Sequence, residues 1–347
     1  MHLKTALYYS REFRYLKSTL RLYGNRLVRG KYRLLDGLRA VSLEDTETLE
    51  CSQRYFGKAR SGGKVFFAVD KLNKWGYYTN KNKKSTQEYE AFYTANNDDK
   101  IREVKLFSFK RQKILTICTS ASEKQKQLEQ TAAFSSAYMM PAVKNDNRYD
   151  NAFEVSMVRV NPRPEDCFAM ENIINSTIKF NTSPGNLQKR IAKELIEFSY
   201  ENEEMNTLLE SIVSKIDSSV LNESVSLCMQ HGDLSKENLM YGESDGKTGF
   251  WWIDWEHAGN RVFFYDFFFY IINSALYYDT RAFEYYMSGE LDHLLKGFFD
   301  HFGWEFVPEK RRDYFLIFAV DFLKERVCSY EHIEALKAYC EFINNNV

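Results

Sequence analysis

The chain has 347 residues, 44% hydrophobic and 27% charged, with only 5 prolines. That is the composition of a folded protein, and it excludes a linker or a largely disordered chain. The formal net charge is -1, which excludes a general attraction to nucleic acid or another polyanion and leaves charge to be read locally.

At roughly 100–200 residues per domain, two domains or lobes are expected. Residues 1–50 read as a basic amphipathic extension: Leu3, Leu7, Leu16 and Leu20 recur at roughly helical spacing among Lys4, Arg11, Arg14, Lys17 and Arg21. Such a stretch packs on the body with its cations solvated, or makes peripheral contact with an anionic membrane face or another anionic partner. Six cysteines without a CxxC pair argue for reduced thiols and a cytoplasmic location. No segment resembles a signal peptide, and the apolar run Val262–Tyr278, which carries Asp266, reads as a buried helix.

Short strands are predicted at Arg54–Ala59, Lys64–Asp70, Trp75–Thr79, Val104–Phe109 and Ile114–Cys118, with one helix from Thr86 to about Ala95. Residues 51–120 thus form a small antiparallel lobe with a single helix. Residues 121–347 are mostly helical, with helices at Ala121–Met140, Leu187–Tyr200, Glu203–Asp217, from about Phe263 onward, Tyr314–Tyr330 and Glu331–Asn344. A short strand at Val225–Gln230 and a hairpin interrupt them. The fold class is α+β.

The chemistry concentrates in two neighbouring segments, His231-Gly-Asp233-Leu-Ser-Lys236-Glu-Asn238 and Phe250-Trp-Trp-Ile253-Asp254-Trp-Glu256. Between them, Asp245-Gly246 is a pair suited to a tight hairpin turn, and closing the hairpin there places Asn238 opposite Ile253 or Asp254. Asp233 lies one short loop away. Three oxygen-bearing groups therefore converge, a set that suits Mg²⁺ bridging the phosphates of a nucleotide, with a carboxylate able to orient an attacking hydroxyl. Asp and Asn also favour turns for local reasons, but local preference does not account for the combined spacing.

At these residues the sequence resembles the aminoglycoside phosphotransferase and choline kinase family, whose catalytic loop reads HxDxxxxN and whose metal motif is matched by Ile253-Asp254-Trp255-Glu256. The resemblance implies a two-lobed protein kinase-like fold, a small antiparallel sheet lobe plus a larger mostly helical lobe, with the nucleotide in the cleft between them. It also implies ATP and Mg²⁺ as cofactors, Asp233 as the catalytic base or hydroxyl-orienting residue, and Asn238 and Asp254 as metal ligands. His231 is then structural, and Asp266 buttresses the catalytic loop from the following helix.

A kinase of this kind also needs a phosphate-covering turn, a strand lysine and a helix glutamate to hold it. Ser61, Gly62, Gly63, Lys81 and Glu88 occur in that order, with Lys71, Lys83 and Lys84 as rival lysines and Glu90 as a rival acid. Gly57–Val65 does not make a P-loop, because the lysine is one residue too far and Val65 stands where a hydroxyl belongs. The expected activity is transfer of the γ-phosphate of ATP to a hydroxyl of a small molecule or saccharide: a sugar, amino alcohol, aminoglycoside or membrane-linked glycolipid sugar. A kinase-like scaffold without turnover and a protein kinase are the alternatives, the latter disfavoured because no Ala-Pro-Glu element follows Asp254. The aromatic residues between Phe263 and Tyr286 read as core packing, with a cage for a quaternary ammonium as the sharper alternative. Glu256, Asp279, Glu284 and Glu290 are carboxylates that could face a polyhydroxy acceptor.

Overall fold

The computed structural model describes residues 22–34, 39–43, 77–83, 86, 88–97, 100–146, 149–198, 203–327 and 333–347. The chain is an α+β protein of two units. One comprises Met1–Ala133, Met140–Pro162 and Gly242–Gly249; the other comprises Phe134–Met139, Arg163–Tyr241 and Phe250–Val347.

The first unit is built on an antiparallel sheet. Its strands are β1 (Gly30–Leu34), β2 (Arg39–Ser42), β3 (Tyr77–Asn80), β4 (Ala91–Asn97), β5 (Lys100–Ser108), β6 (Lys113–Cys118), β7 (Val143–Asn145) and β8 (Ala152–Ser156), in the spatial order β3-β1-β2-β4-β5-β6-β8-β7. Helix α1 (Ala121–Phe134) lies between β6 and β7 in the sequence. Period-two alternation gives the sheet two apolar faces. Ala40, Phe92, Leu106 and Leu115 belong to one cluster, while their chain neighbours Val41, Ala91, Phe107 and Ile114 belong to another.

Three expectations change here. Thr86–Ala95 is not a helix: Ala91–Asn97 is strand β4, paired with β2 on one side and β5 on the other. Hydrogen bonding along both edges outweighs a weak local helix preference. The lobe does not end near residue 120, since β6 pairs with β8 and β8 with β7. Nor are residues 1–50 wholly an extension, because β1 and β2 are sheet strands. The predicted strands Arg54–Ala59 and Lys64–Asp70, and the basic stretch up to Arg21, lie outside the described residues. Among the described residues no helix is long and apolar enough to cross a membrane.

The second unit is mostly helical: α2 (Asp166–Phe180), α3 (Ala192–Leu195), α4 (Glu203–Val213), α5 (Ser218–Leu221), α6 (Tyr265–Tyr277), α7 (Arg281–Ser288), α8 (Asp292–His301), α9 (Arg311–Val327) and α10 (Ile333–Asn346). Strand β9 (Arg159–Val160) belongs to the first unit and pairs there with Gly242 and Glu243 of β12 (Leu239–Ser244), which is hydrogen-bonded in turn to β13 (Lys247–Trp252). Strands β10 (Gln188–Ile191), β11 (Ser224–Gln230) and β14 (Gly259–Val262) form a separate small sheet. The helix expected over Leu187–Tyr200 is shortened to α3, because Gln188–Ile191 pairs antiparallel with β11 and covers its edge. Helix α2, which buries Ala169, Met170, Ile173, Ile174 and Thr177 at helical spacing, is absent from the predicted elements.

Every residue of α6 from Tyr265 to Ser274 is buried, as expected for a helix that is apolar around its whole circumference. Phe263, Phe264, Phe267 and Phe268 pack against Phe298, Phe299, Phe315 and Phe318 in edge, stacked and tilted contacts, so this aromatic run is largely core. Tyr277 and Tyr278, at the C-terminal end of α6, are about half exposed.

The hairpin turns where the sequence places it, with Asp245 and Gly246 both at positive φ (49° and 72°), the pattern of a type I′ turn. The Asp245 carboxylate accepts hydrogen bonds from the Ser156 hydroxyl (2.8 Å) and the Ala142 N–H (3.0 Å). Burial works against its charge, but these donors hold it below the usual carboxylate value. Asp245→Ala should lower the unfolding free energy by about 1–2 kcal/mol at pH 7. Because the ionised carboxylate is the better acceptor, the gap between the two proteins should narrow as pH falls below the free carboxylate value of 3.8 and through its lowered one, followed by denaturant titrations from pH 7 downward.

Candidate active site

Strand β11 ends at Gln230, and the chain turns back on itself at His231 and Gly232. Gly232 has φ +81°, and a Cβ there would lie 2.3 Å from the His257 carbonyl oxygen, so the position requires glycine on two counts. The turn is held by Asp266 in the first turn of α6. Its carboxylate accepts the His231 N–H (2.6 Å) and the Gly232 N–H (2.8 Å), while the Asp266 N–H donates to the Gln230 side-chain oxygen (3.1 Å). This is the buttress that the resemblance implies. Burial pushes Asp266 up to about 6, with the two loop N–H groups acting in the opposite direction.

His231 is fully buried and lies against Trp255 and Trp252. Nε2 is 2.8 Å from the Ile253 carbonyl oxygen and Nδ1 is 3.3 Å from the Asp233 N–H. A carbonyl can only accept and an N–H can only donate, so the ring carries its proton on Nε2 and is neutral. It joins the loop to the strand end from which Asp254 follows.

Beyond Asp233 the loop closes through short-range bonds: Ser235 N–H to the Asp233 carbonyl (2.9 Å), and the Asn238 and Leu239 N–H groups to the Ser235 carbonyl (3.1 and 3.0 Å). Asn238 Nδ2 donates to the Asp233 carbonyl oxygen (2.7 Å) and to its carboxylate (3.2 Å). With Nδ2 so used, Asn238 Oδ1 is the acceptor available to a cation. The Ile253 N–H donates to the Asn238 carbonyl (3.0 Å), so the expected pairing across the hairpin is made. Asp254, exposed, follows in the left-handed region (φ 67°, ψ 57°) and starts the turn Trp255–His257. Trp255 stacks on Phe134 at 4.0 Å between ring centroids, and Trp252 donates from Nε1 to Asn172 (3.2 Å). Asp233, Asn238 and Asp254 are thus brought to one end of one hairpin.

Among the described residues no group of three or more His, Cys, Asp or Glu side chains forms a ready metal cage. The donors at this end are hard oxygens, one amide and two carboxylates. That set fits Mg²⁺, which is commonly held by one or two carboxylates and completed by substrate phosphates and water. Lys236, the loop cation, is committed elsewhere: its ammonium lies 2.9 Å from the buried Asp166 carboxylate. The sequence reading missed Asp166, which lies 70 residues before Lys236 in the first turn of α2.

The phosphate-binding residues expected in the first unit are not assembled in the same way. Ser61, Gly62 and Gly63 lie outside the described residues. Lys81 follows β3 in an exposed coil and makes no ion pair among the described residues. Arg29 holds the adjacent turn by donating to the carbonyls of Asn82 (2.9 Å) and Lys83. Glu88, expected to steady Lys81 from a helix, lies in the coil before β4 and pairs with Arg26 at 3.1 Å and Arg111 at 3.8 Å. Glu90 is buried and accepts the Phe109 N–H (2.8 Å). Of the four carboxylates considered for an acceptor, Asp279 lies 4.0 Å from the catalytic-loop ammonium of Lys236. Hydrogen bonds from Arg281 lower Asp279 to about 2.

Comparison with solved structures finds similarity to amicoumacin kinase hAmiN, in a complex with AMP-PNP, Ca²⁺ and Ami (14% identity, 74% of this chain and 88% of that chain, TM-score 0.43). A choline/ethanolamine kinase family protein from Mesorhizobium loti is also similar (12%, 81% and 92%, 0.42), as is aminoglycoside phosphotransferase APH(4)-Ia (12%, 81% and 97%, 0.41). No protein-family model matches the sequence, and no curated protein does.

Burial drives the His231 imidazole down to about 4 from 6.5. Its contribution to stability is complete above the unfolded value and is lost as pH falls towards 4, whereas Asp266, raised from 3.8 to about 6, favours the fold as it protonates. The two offset each other in the overall acid limb, so the ring itself is the useful observable. Nitrogen NMR of the histidines, assigned with His231→Asn, should show one ring as the neutral Nε2–H tautomer at pH 6 with a midpoint near 4. A midpoint near 6.5 would contradict the buried neutral assignment.

Proposed function

We propose that this chain is a phosphotransferase that moves the γ-phosphoryl group of ATP to a hydroxyl of a small molecule or saccharide. The observation that carries the reading is the coupling of Asp233 to Asn238, at 3.2 Å between Oδ2 and Nδ2, with Asp254 one residue past the backbone bond that ties Asn238 to Ile253. A loop built only for turn geometry has no need to bring these three side chains to one end of one hairpin.

In this reading Asp233 receives the proton of the acceptor hydroxyl as its oxygen bonds to the γ-phosphorus and the bond to the bridging oxygen of ADP breaks. Asn238 steadies that carboxylate through Nδ2 and offers Oδ1 to the cation, and Asp254 offers its carboxylate. Mg²⁺, when bound, supplies positive charge to the triphosphate oxygens. Ser61, Gly62, Gly63 and Lys81 are assigned to the phosphates of the nucleotide; Glu88, paired with Arg26 and Arg111, is withdrawn from direct support of Lys81. Buried His231 and Asp266 position the loop and do not touch substrate.

The pairing of Glu88 with Arg26 and Arg111 in place of Lys81 favours one competing reading, a kinase-like binding protein without turnover. Calorimetry and labelled-ATP transfer separate the two. Wild-type protein should bind ATP more tightly with Mg²⁺ than without, and Asp254→Ala should lose that difference. Asp233→Asn should retain nucleotide binding while transfer falls roughly 10²–10⁴-fold. The acceptor is sought by screening amino alcohols, aminoglycosides, monosaccharides and lipid-linked saccharides. Full turnover in Asp254→Ala would remove the metal assignment; Mg²⁺-dependent binding with no transfer to any acceptor would favour the binding protein.

A further inference from the structure

Arg163 precedes α2 within Asn161-Pro162-Arg163-Pro164. A proline on either side restricts the backbone here to extended conformations and sets the direction from which the side chain leaves. Its guanidinium reaches the catalytic loop. Nη1 donates to the carbonyl oxygens of Lys236 (3.1 Å) and Leu239 (2.6 Å), and Nη2 donates to the Tyr270 hydroxyl (3.1 Å). Tyr270 donates to Asp166 Oδ1 (2.6 Å), and Asp166 Oδ2 accepts the Lys236 ammonium (2.9 Å). The bonds close a ring: Arg163, Tyr270, Asp166, the Lys236 side chain, and back to Arg163 through the Lys236 carbonyl. Arg163 also lies over the rings of Phe250 and Tyr270, each at 5.5 Å.

The two carbonyls that Arg163 holds lie on either side of Asn238. Resting on the reading above, we propose that Arg163 is a positioning residue that fixes the Asn238 turn, and with it the Oδ1 offered to the cation, through a ring completed by Tyr270, Asp166 and Lys236. Charge-assisted donors on both flanks restrict the backbone rotations that would otherwise let Asn238 turn away. Nothing in the ring touches the reacting atoms. Its four members come from the segment before α2, from α2, from the loop and from α6, so four separate parts of the second unit converge on one turn.

The test uses the full-length chain and two measurements, one of which needs neither metal nor nucleotide. Hydrogen exchange across 233–241 in the free protein reads the turn itself, and electron paramagnetic resonance of Mn²⁺ with AMP-PNP reads cation binding. Arg163→Met should speed exchange of the Asn238 and Leu239 amides roughly tenfold or more and weaken Mn²⁺ binding roughly tenfold. Arg163→Lys, which keeps the charge and one donor direction, should recover part of both effects. Tyr270→Phe removes one oxygen from the ring and should fall between, with the thermal midpoint little changed.

If Arg163→Met does not fold, Arg163→Lys and Tyr270→Phe decide. Unaltered exchange in the folded variants overturns the proposal. Faster exchange with unaltered Mn²⁺ binding also overturns it, since the turn would then be structural only. Faster exchange in the variants, in a protein whose wild type binds no Mn²⁺ with AMP-PNP, leaves the clamp standing and overturns the phosphotransferase reading together with the cation half of this proposal.

Discussion

The Asp266 carboxylate, buried in the first turn of α6 and bonded to the N–H groups of His231 and Gly232, is the interaction on which the rest of the site depends. An isolated buried carboxylate is costly, and two short bonds from the backbone offset much of that cost. The direction of dependence is from core to loop. Because Tyr265–Ser274 of α6 are buried, with Phe267 and Phe268 against Phe298, Phe315 and Phe318, the loop takes its position from the core of the second unit. Gly232 makes this possible, since its left-handed backbone turns two successive N–H groups towards one carboxylate.

A second constraint joins loop to strand. His231 bonds the Ile253 carbonyl, the Ile253 N–H bonds the Asn238 carbonyl, and Trp252 and Trp255 close over the imidazole. Asp254 can therefore adopt a sparsely populated backbone conformation because residues on both sides of it are held by packing. Lys236 and Arg163, two cations at the loop, are committed to Asp166, Tyr270 and backbone carbonyls, and Arg261 lies beside Gly232.

Several features could be read directly from the sequence because local chemistry settles them. Asp245-Gly246 turns at positive φ because glycine and aspartate tolerate it, and Asn238 meets Ile253 because a two-residue turn dictates the pairing. A buried helix could be read within Val262–Tyr278 from its mostly apolar sequence, and Tyr265–Tyr277 forms it, with Val262 closing β14. The readings that changed depended on a partner distant in the chain. Ala91–Asn97 is a strand because β2 and β5 offer it hydrogen bonds on both sides, and Gln188–Ile191 is a strand because β11 has an edge to cover. Glu88 is taken by Arg26, sixty-two residues earlier, through a contact that no spacing rule predicts.

The sequence by itself determined the chemistry available, since the order His231, Gly232, Asp233 and Asn238, the hairpin turn and Asp254 are set by residue type and short-range backbone geometry. Only the tertiary structure decided which charges are already spent: Lys236 on Asp166, Glu88 on Arg26, Arg163 on the loop carbonyls and Asp266 on the loop amides. The physical reason is that a turn is chosen by a few neighbouring dihedral angles, whereas an ion pair or a buried hydrogen bond is chosen by whatever the packed core brings within about 3 Å.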